Sequence, residues 1–372
     1  MTTSATAAVL SGTGEPFVLQ DVTIDDPRPD EVLVRIVAAG VCGTDLGVQG
    51  GHVPFPLPGV IGHEGAGIVE AVGSAVTGVR PGDKVLMTFT SCGTCRNCLA
   101  GHPAYCDVFV PRNLFDGARP DGSPTITGAS GTLHGSFFAQ SSFATYALAD
   151  ERSVAKVAPD ADLSLLAPLG CGVQTGAGAV LNVLQPQPGD TVAVLGAGPV
   201  GLSAVMAAQL TGATTVVVVD LVDSRLDLAR ELGATATVNS GQVDLAEALR
   251  ELSGGRGFDA IVETTGNVGV LETGVGHIAS RGALAIVGAP AAGSRASIDV
   301  NWVLNGKRIV SAPEGDSNPK VFLPALVDLV MQGRLPLEKL VRRYEFSEIN
   351  EAAGAARDGS VLKPVLRVSQ DG

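Results

Sequence analysis

Four cysteines fall close together at Cys92, Cys95, Cys98 and Cys106, separated by two, two and seven residues. Thiols at these intervals form a compact lobe able to close a tetrahedral shell around Zn²⁺; with four protein ligands no position stays open, so such a metal is structural. A pair of disulfides is the alternative, and a reducing compartment argues against it. His102 lies inside the same loop but is not needed to complete the shell. Two further cysteines, Cys42 in Cys42-Gly43-Thr44-Asp45 and Cys171 in a second glycine-dense stretch, stand apart from the cluster. A lone cysteine is often a small buried hydrophobe. His63 sits in Gly59-Val60-Ile61-Gly62-His63-Glu64-Gly65-Ala66-Gly67, a tight backbone path. It is either a histidine satisfied within a turn or one held out to bind something.

A different chemistry is signalled at Gly196-Ala197-Gly198-Pro199-Val200-Gly201. The glycines follow an apolar strand at residues 191–195 and open a helix at 202–210. That is where a chain makes a tight turn, brings its backbone up to a pyrophosphate and packs helix on strand. A second all-apolar strand at 215–219 ends in Asp220, 19 residues after Gly201. An acid there accepts hydrogen bonds from the adenosine ribose hydroxyls and repels a 2′-phosphate, which favours NAD over NADP.

The elements that position these groups change character along the chain. Up to about residue 156 it predicts short strands split by Gly and Pro, at 31–38 (with Val32, Val34 and Ile36 on one face), 67–72 and 84–89. Residues 107–135 are expected to form a long surface loop, and 169–176 a glycine-dense turn. Phe137, Phe138 and Phe143 are either core or pocket lining. Alternating βα units then predict a doubly wound sheet, with a helix at 224–232 capped by Gly233 and strands at 260–263 and 283–288. After Pro313, helices at 322–331 and 347–357 and a strand at 364–368 are expected to fold back onto the first domain. The predicted class is α/β, with residues 1–172 and 314–372 in one domain and 173–313 in a nucleotide-binding one.

With 372 residues, two cores are expected. A hydrophobic content of 45% supports well-formed cores, and a charged content of 17% excludes a disordered chain. The formal net charge of −13 argues against nucleic acid or an anionic membrane as a partner. Residues 1–8 lack a basic start and a long apolar run, and no later run is long enough to span a bilayer, so a cytoplasmic location is expected.

Taken together, these motifs resemble the zinc-dependent medium-chain alcohol dehydrogenases over essentially the full length. The likeness extends to the bacterial aryl-alcohol branch through Gly170-Cys171-Gly172-Val173-Gln174-Thr175-Gly176-Ala177-Gly178-Ala179 and the run Ser-Phe-Phe-Ala-Gln-Ser-Ser-Phe-Ala-Thr-Tyr at 136–146. The resemblance implies a GroES-like catalytic domain beside a Rossmann domain. It implies a catalytic zinc held by Cys42, His63 and Cys171 with a fourth position open, in addition to the structural zinc, so two per subunit. A pair of thiolates with one imidazole is a known catalytic zinc set. Asp45 corresponds to the carboxylate that orients the histidine, Glu64 to an acid beside the metal, and Thr44 to the hydroxyl that takes the alcohol proton. Besides Gly196, Gly198, Pro199, Val200, Gly201 and Asp220, the implied cofactor contacts are Thr175 beside the nicotinamide, Arg225 near the adenosine ribose, Val287, and Lys363 at the pyrophosphate. Phe89, Phe137, Phe138 and Ala289 would line an apolar substrate cleft suited to primary aromatic or allylic alcohols such as benzyl alcohol, cinnamyl alcohol or geraniol.

The chain departs from the family pattern at two places. Gly47 stands where many members carry a relay histidine, and Gly43 where a basic residue often contacts the pyrophosphate. The proton is then expected to leave by water or another base, with His52 a candidate. A glutathione-dependent formaldehyde dehydrogenase of the same superfamily is the competing activity; it would want a basic group at the cleft mouth, and none is identifiable. A non-catalytic NAD-binding protein would be marked by loss of a zinc ligand, and all three are present. A small-molecule alcohol or aldehyde partner and a homodimer or homotetramer, paired through sheet edges around 283–310, complete the expectation.

Overall fold

The structure, a computed structural model, describes residues 2–129 and 131–370. The chain divides into two units. The first comprises Met1–Cys171, Asn318–Gln332 and Leu337–Gly372; the second comprises Gly172–Ser317 and Gly333–Pro336.

The first unit is built on two sheets. In one, Gly59–Val60, Thr3–Leu10, Phe17–Ile24, Ile126–Gly128 and Gly131–Leu133 lie side by side. The other runs in the order Val154–Lys156, Lys84–Met87, Glu64–Val72, Glu31–Gly40, Lys363–Arg367, Val341–Glu345, with Tyr146–Asp150 also pairing with Glu31–Gly40. Strand Glu31–Gly40 is central to it. Val32, Val34 and Ile36 are buried as the alternation predicts, but Leu33 and Val37 on the opposite face are buried too. The C-terminal strand Lys363–Arg367 pairs antiparallel with Glu31–Gly40, so the tail returns to the first unit.

The expected surface loop over residues 107–135 is more firmly built than its composition suggests. It carries the helical turn Pro111–Phe115 and two short strands that extend the first sheet. Arg119 is buried within it. Its guanidinium meets Glu31 Oε1 at 2.6 Å and Asp25 Oδ2 at 2.7 Å, which ties the segment to the start of the central strand.

The second unit holds a six-stranded parallel sheet in the order Ala236–Asn239, Thr215–Asp220, Thr191–Leu195, Phe258–Glu263, Ile278–Ile286, Arg308–Ser311. Numbered along the chain this is 3-2-1-4-5-6, the doubly wound dinucleotide order, with the reversal of direction beside Thr191–Leu195. Residues 172–178 depart from expectation: they form the helix Gly172–Gly178, not a turn. Its glycines serve close packing. A Cβ on Gly176 would lie 2.0 Å from the Val200 carbonyl oxygen, and one on Gly178 2.3 Å from that of Gly315.

Among the described residues, no single helix is long and apolar enough to cross a membrane.

Candidate active site

Cys42 precedes the helix Gly43–Gln49, and Asp45 in its first turn accepts the Cys42 N–H on Oδ2 at 2.9 Å. The other oxygen, Oδ1, accepts the Gly62 N–H at 3.2 Å and lies 2.9 Å from His63 Nδ1. Gly62 adopts a φ of 93°, and a Cβ there would meet the Phe143 ring at 2.5 Å, so only glycine lets the chain deliver His63 to Asp45. Cys171 arrives from the turn Ala167–Gly170, which crosses the Lys84–Met87 strand so closely that a Cβ on Gly170 would lie 2.3 Å from the Met87 carbonyl oxygen.

These constraints bring one ligand atom each from Cys42, His63 and Cys171 within 4.8 Å of one another. With Nδ1 committed to Asp45, the buried His63 Nε2 has no hydrogen-bond partner. A fully buried imidazole nitrogen with only two cysteine sulfurs beside it is costly unless a metal takes it. Two sulfurs, one such nitrogen and a carboxylate orienting the ring fit a zinc ion that keeps a position open.

The second cluster gathers Cys92, Cys95, Cys98 and Cys106, again with ligand atoms within 4.8 Å of one another. All six cysteines are free thiols in the structure, so no disulfide competes. Backbone N–H groups of Thr94 and Cys95 donate to Cys92 Sγ at 3.4 and 3.2 Å, and these bonds lower its thiol to about 6. Burial pushes Cys106 up to about 12. A bound cation would offset that penalty, and the all-cysteine donor set suits zinc in a closed shell.

In the second unit, a cavity of about 770 Å³ opens at the C-terminal ends of the parallel strands. Gly196, Gly198, Pro199, Val200, Asp220 and Arg225 line it. Gly201 instead packs under the turn, where a Cβ would lie 1.8 Å from the Gly196 carbonyl oxygen. Asp220 Oδ2 accepts the Ala197 N–H at 2.7 Å, and Oδ1 accepts those of Leu221 and Val222 at 2.8 and 3.0 Å. The acid therefore holds the glycine-rich turn as well as edging the cavity. Thr175 lies on the helix Gly172–Gly178 and Val287 just beyond the strand Ile278–Ile286; neither lines this cavity. Its wall also includes Ser240, Leu245, Thr264, Thr265, Asn267 and Val270, none of which a motif marks.

Comparison with known proteins agrees with this geometry. Residues 28–160 match the alcohol dehydrogenase GroES-like domain, and residues 199–330 match the zinc-binding dehydrogenase domain. A geraniol dehydrogenase from Castellaniella defragrans is 42% identical over 366 residues, covering 98% of this chain and 97% of that one. The chain belongs to the zinc-dependent medium-chain alcohol dehydrogenases. Among solved structures, an alcohol dehydrogenase zinc-binding domain protein from Burkholderia ambifaria superposes with a TM-score of 0.97 at 50% identity, covering 100% of both chains. Benzyl alcohol dehydrogenase from Acinetobacter calcoaceticus gives 0.95 at 45% identity, covering 99% of this chain and 100% of that one.

Two expectations about the dehydrogenase's site residues need correction. Lys363 is not held out toward a pyrophosphate. Its side chain is buried, with Nζ 2.9 and 3.0 Å from the two carboxylate oxygens of Glu64 and 3.4 Å from the Val41 carbonyl. The pair has a slot to sit in because residue 40 is glycine; a Cβ there would lie 2.1 Å from Glu64 Oε2. Burial, together with the nearby Cys42 thiolate, raises Glu64 to about 7 against the pull of Lys363. Lys363 is also buried, yet the charges of Glu64 and Cys42 outweigh that and push it above the ordinary lysine range.

The second correction concerns the phenylalanines. Phe89 and Phe137 are 1% and 0% exposed and pack as core side chains, with Phe89 also edging a small cavity of about 140 Å³ beside Ser91 and Cys98. Phe138 has a closer role, since its ring stacks on that of His63 with centroids 4.5 Å apart. Ala289, in the second unit, is exposed. The segment carrying Phe138 is strained: Ser136, Phe138, Ala139 and Ser141 all have φ between 51° and 57°. Such backbone persists only where its surroundings enforce it.

Gln140 supplies the enforcement, and sequence reasoning missed it. Its Nε2 donates to the carbonyls of His63 and Thr88 at 2.9 and 3.1 Å, and its Oε1 accepts the Gly65 N–H at 3.1 Å. The glutamine fastens the Phe138 segment to the backbone on both sides of Glu64 and to the neighbouring Thr88. Its only sequence signal is its place inside the run 136–146. Thr44 Oγ1 is 3.9 Å from Cys42 Sγ, while His52 is exposed on the turn that follows the helix.

Proposed function

We propose that this dehydrogenase oxidises primary aromatic or allylic alcohols to aldehydes, reversibly, with NAD as hydride acceptor and two zinc ions per subunit. The observation that carries the proposal is the Cys42, His63, Cys171 set with His63 Nε2 bare and Nδ1 held by Asp45. A zinc ion bound by these residues would act as a Lewis acid on an alcohol oxygen and lower its pKa. Asp45 fixes the imidazole tautomer and orientation, which keeps Nε2 available as a ligand. Thr44 receives the alcohol proton; because residue 47 is glycine, the proton passes from there to water. Bound NAD⁺ would supply the acceptor for the carbon-bound hydrogen as hydride, and the alcohol, having given up one proton and one hydride, would become the aldehyde.

Several features support the finer points. The Asp220 carboxylate at the rim of the cavity disfavours a 2′-phosphate, which supports NAD over NADP. Phe138 against His63 and the names of the relatives, geraniol and benzyl alcohol dehydrogenases, support apolar unsaturated substrates. The edge strand Arg308–Ser311 offers a side for pairing in a homodimer or homotetramer. Comparing NAD⁺ with NADP⁺ as acceptors tests the cofactor assignment. A kcat/KM preference for NAD⁺ of about tenfold or more is expected, since one repelled phosphate is worth at least 1.4 kcal/mol or so; equal use of both would contradict it.

A further inference from the structure

One wall of the cofactor cavity is assembled around a residue that no motif announces. Glu263 ends the strand Phe258–Glu263, paired on one side with Leu195, which leads into the glycine-rich turn, and on the other with Ile286. Its side chain is fully buried. Oε1 accepts the Thr265 N–H at 2.6 Å, the Thr265 hydroxyl, and the Gly266 N–H at 3.2 Å. Its own carbonyl accepts the N–H groups of Val287 and Gly288 at 2.8 and 2.9 Å. One residue therefore holds the loop after its own strand with its carboxylate and the loop after the next strand with its backbone.

The adjoining residue extends the hold to the glycine-rich turn. The Thr264 N–H donates to the Leu195 carbonyl at 2.9 Å, and the Thr264 hydroxyl lies 2.9 and 3.2 Å from the carbonyls of Leu195 and Gly196. The two loops also meet without slack. A Cβ on Gly288 would come within 2.2 Å of the Gly266 nitrogen, and one on Gly266 within 2.8 Å of the Ala289 carbonyl oxygen. Thr264, Thr265 and Asn267 line the cavity, whereas Glu263 does not touch it. With no room to shift, the cavity wall keeps its shape only while the donors of Thr265 and Gly266 have their acceptor.

We propose that Glu263 is a positioning residue for dinucleotide binding, setting the loops at 264–267 and 287–289 against the glycine-rich turn so that the cavity is preformed for the cofactor. This rests on the assignment of the cavity to a nicotinamide dinucleotide. Because the Gly266 N–H is shared with Oε2 at 3.3 Å, both oxygens face donors. Glutamine at 263 keeps the size but puts an NH₂ group in place of one of them, against the Gly266 N–H in one orientation and the Thr265 donors in the other. Loss of that acceptor is felt in the loop, and binding must then reorder it.

The test is NADH binding, followed by fluorescence, to the zinc-loaded wild type, Glu263→Gln and Thr265→Ala, with kcat at saturating NAD⁺, zinc content and apoprotein Tm measured alongside. Glu263→Gln is expected to raise Kd about tenfold and Thr265→Ala about threefold, as the loss of several or of one hydrogen bond would. Zinc content stays at the wild-type value, and in Glu263→Gln, whose side chain does not touch the cavity, the effect appears in KM for NAD⁺ and not in kcat at saturation. A wild type that does not bind NADH would contradict the cofactor assignment itself. A wild type that binds, with both variants binding equally well or losing kcat in place of affinity, would overturn the role given to Glu263. If Glu263→Gln does not fold, Glu263→Asp, which keeps a carboxylate but shortens its reach to the Thr265 and Gly266 donors, decides the question by the same Kd comparison.

Discussion

Lys363 and Glu64, 299 positions apart in sequence, form a bidentate ion pair in the interior, with Nζ 2.9 and 3.0 Å from the two carboxylate oxygens. Strand pairing between Lys363–Arg367 and Glu31–Gly40 brings the lysine in, and the missing side chain at Gly40 makes room for the acid. The same contact buries the lysine ammonium against the carboxylate. Replacing Lys363 by Met leaves Glu64 as an unpaired buried charge and should cost about 3–5 kcal/mol of stability in urea unfolding. The affinity for NADH should stay unchanged in the folded fraction. A variant with normal stability but weakened NADH binding would restore the pyrophosphate role.

Asp45 serves three partners with two oxygens: the Cys42 N–H, the Gly62 N–H and His63 Nδ1. Asparagine can accept on one side only and presents donors on the other. Asp45→Asn should therefore weaken metal binding at the Cys42, His63, Cys171 site by about 10- to 100-fold. The four-cysteine site should be untouched. Chelator competition with zinc counted per subunit would show one zinc released early and one retained; simultaneous release of both would contradict the separation of the two sites.

Arg119 gives a prediction about pH. Its guanidinium, hydrogen-bonded to Asp25, holds that carboxyl below its usual value, and it also pairs with the better-buried Glu31. Arg119→Met should cost roughly 3 kcal/mol near neutral pH, mostly through Glu31, because half-exposed Asp25 is screened by water. A carboxyl lowered in the folded state contributes above its unfolded pKa, about 3.9, and that contribution disappears as pH falls through the folded value. The stability gap between wild type and variant should accordingly narrow below about pH 4. A gap independent of pH across that range would show that packing, not charge, is what Arg119 supplies.

Gly47 lies on the helix Gly43–Gln49, and a Cβ there would fall 2.8 Å from Val53 Cγ2. A histidine placed at 47 should thus cost about 1–3 kcal/mol through overpacking, largely recovered when Val53 is also changed to Ala. In that double variant a higher kcat would identify proton transfer as limiting. His52→Gln should leave the pH–rate profile unchanged, since the ring lies out in solvent.

What the sequence made legible follows from how local each signal is. The four cysteines at 92, 95, 98 and 106 sit at a local ligand spacing, so that cluster could be named before the fold was known. The Cys42, His63, Cys171 set, spread along the chain, was named only through the family resemblance. The strands Thr191–Leu195 and Thr215–Asp220 were visible because central parallel strands are buried on both faces and read as unbroken apolar runs. Partners chosen across long separations were not visible. Gln140 reaches Gly65 over 75 positions and Arg119 reaches Glu31 over 88, and no local pattern encodes either. The pairing of Lys363 with Glu64 was hidden for the same reason. The helix Gly172–Gly178 was hidden by glycines that read locally as a turn but exist to let Val200 and Gly315 approach.

The most direct test of the whole account is initial-rate NADH formation by the zinc-loaded enzyme with benzyl alcohol, geraniol and ethanol, compared by kcat/KM. Benzyl alcohol or geraniol should exceed ethanol by about tenfold or more, the amount that a few buried methylene-sized contacts provide. Ethanol or a polyol used equally well or better, or no reduction of NAD⁺ by any of them, would contradict the account.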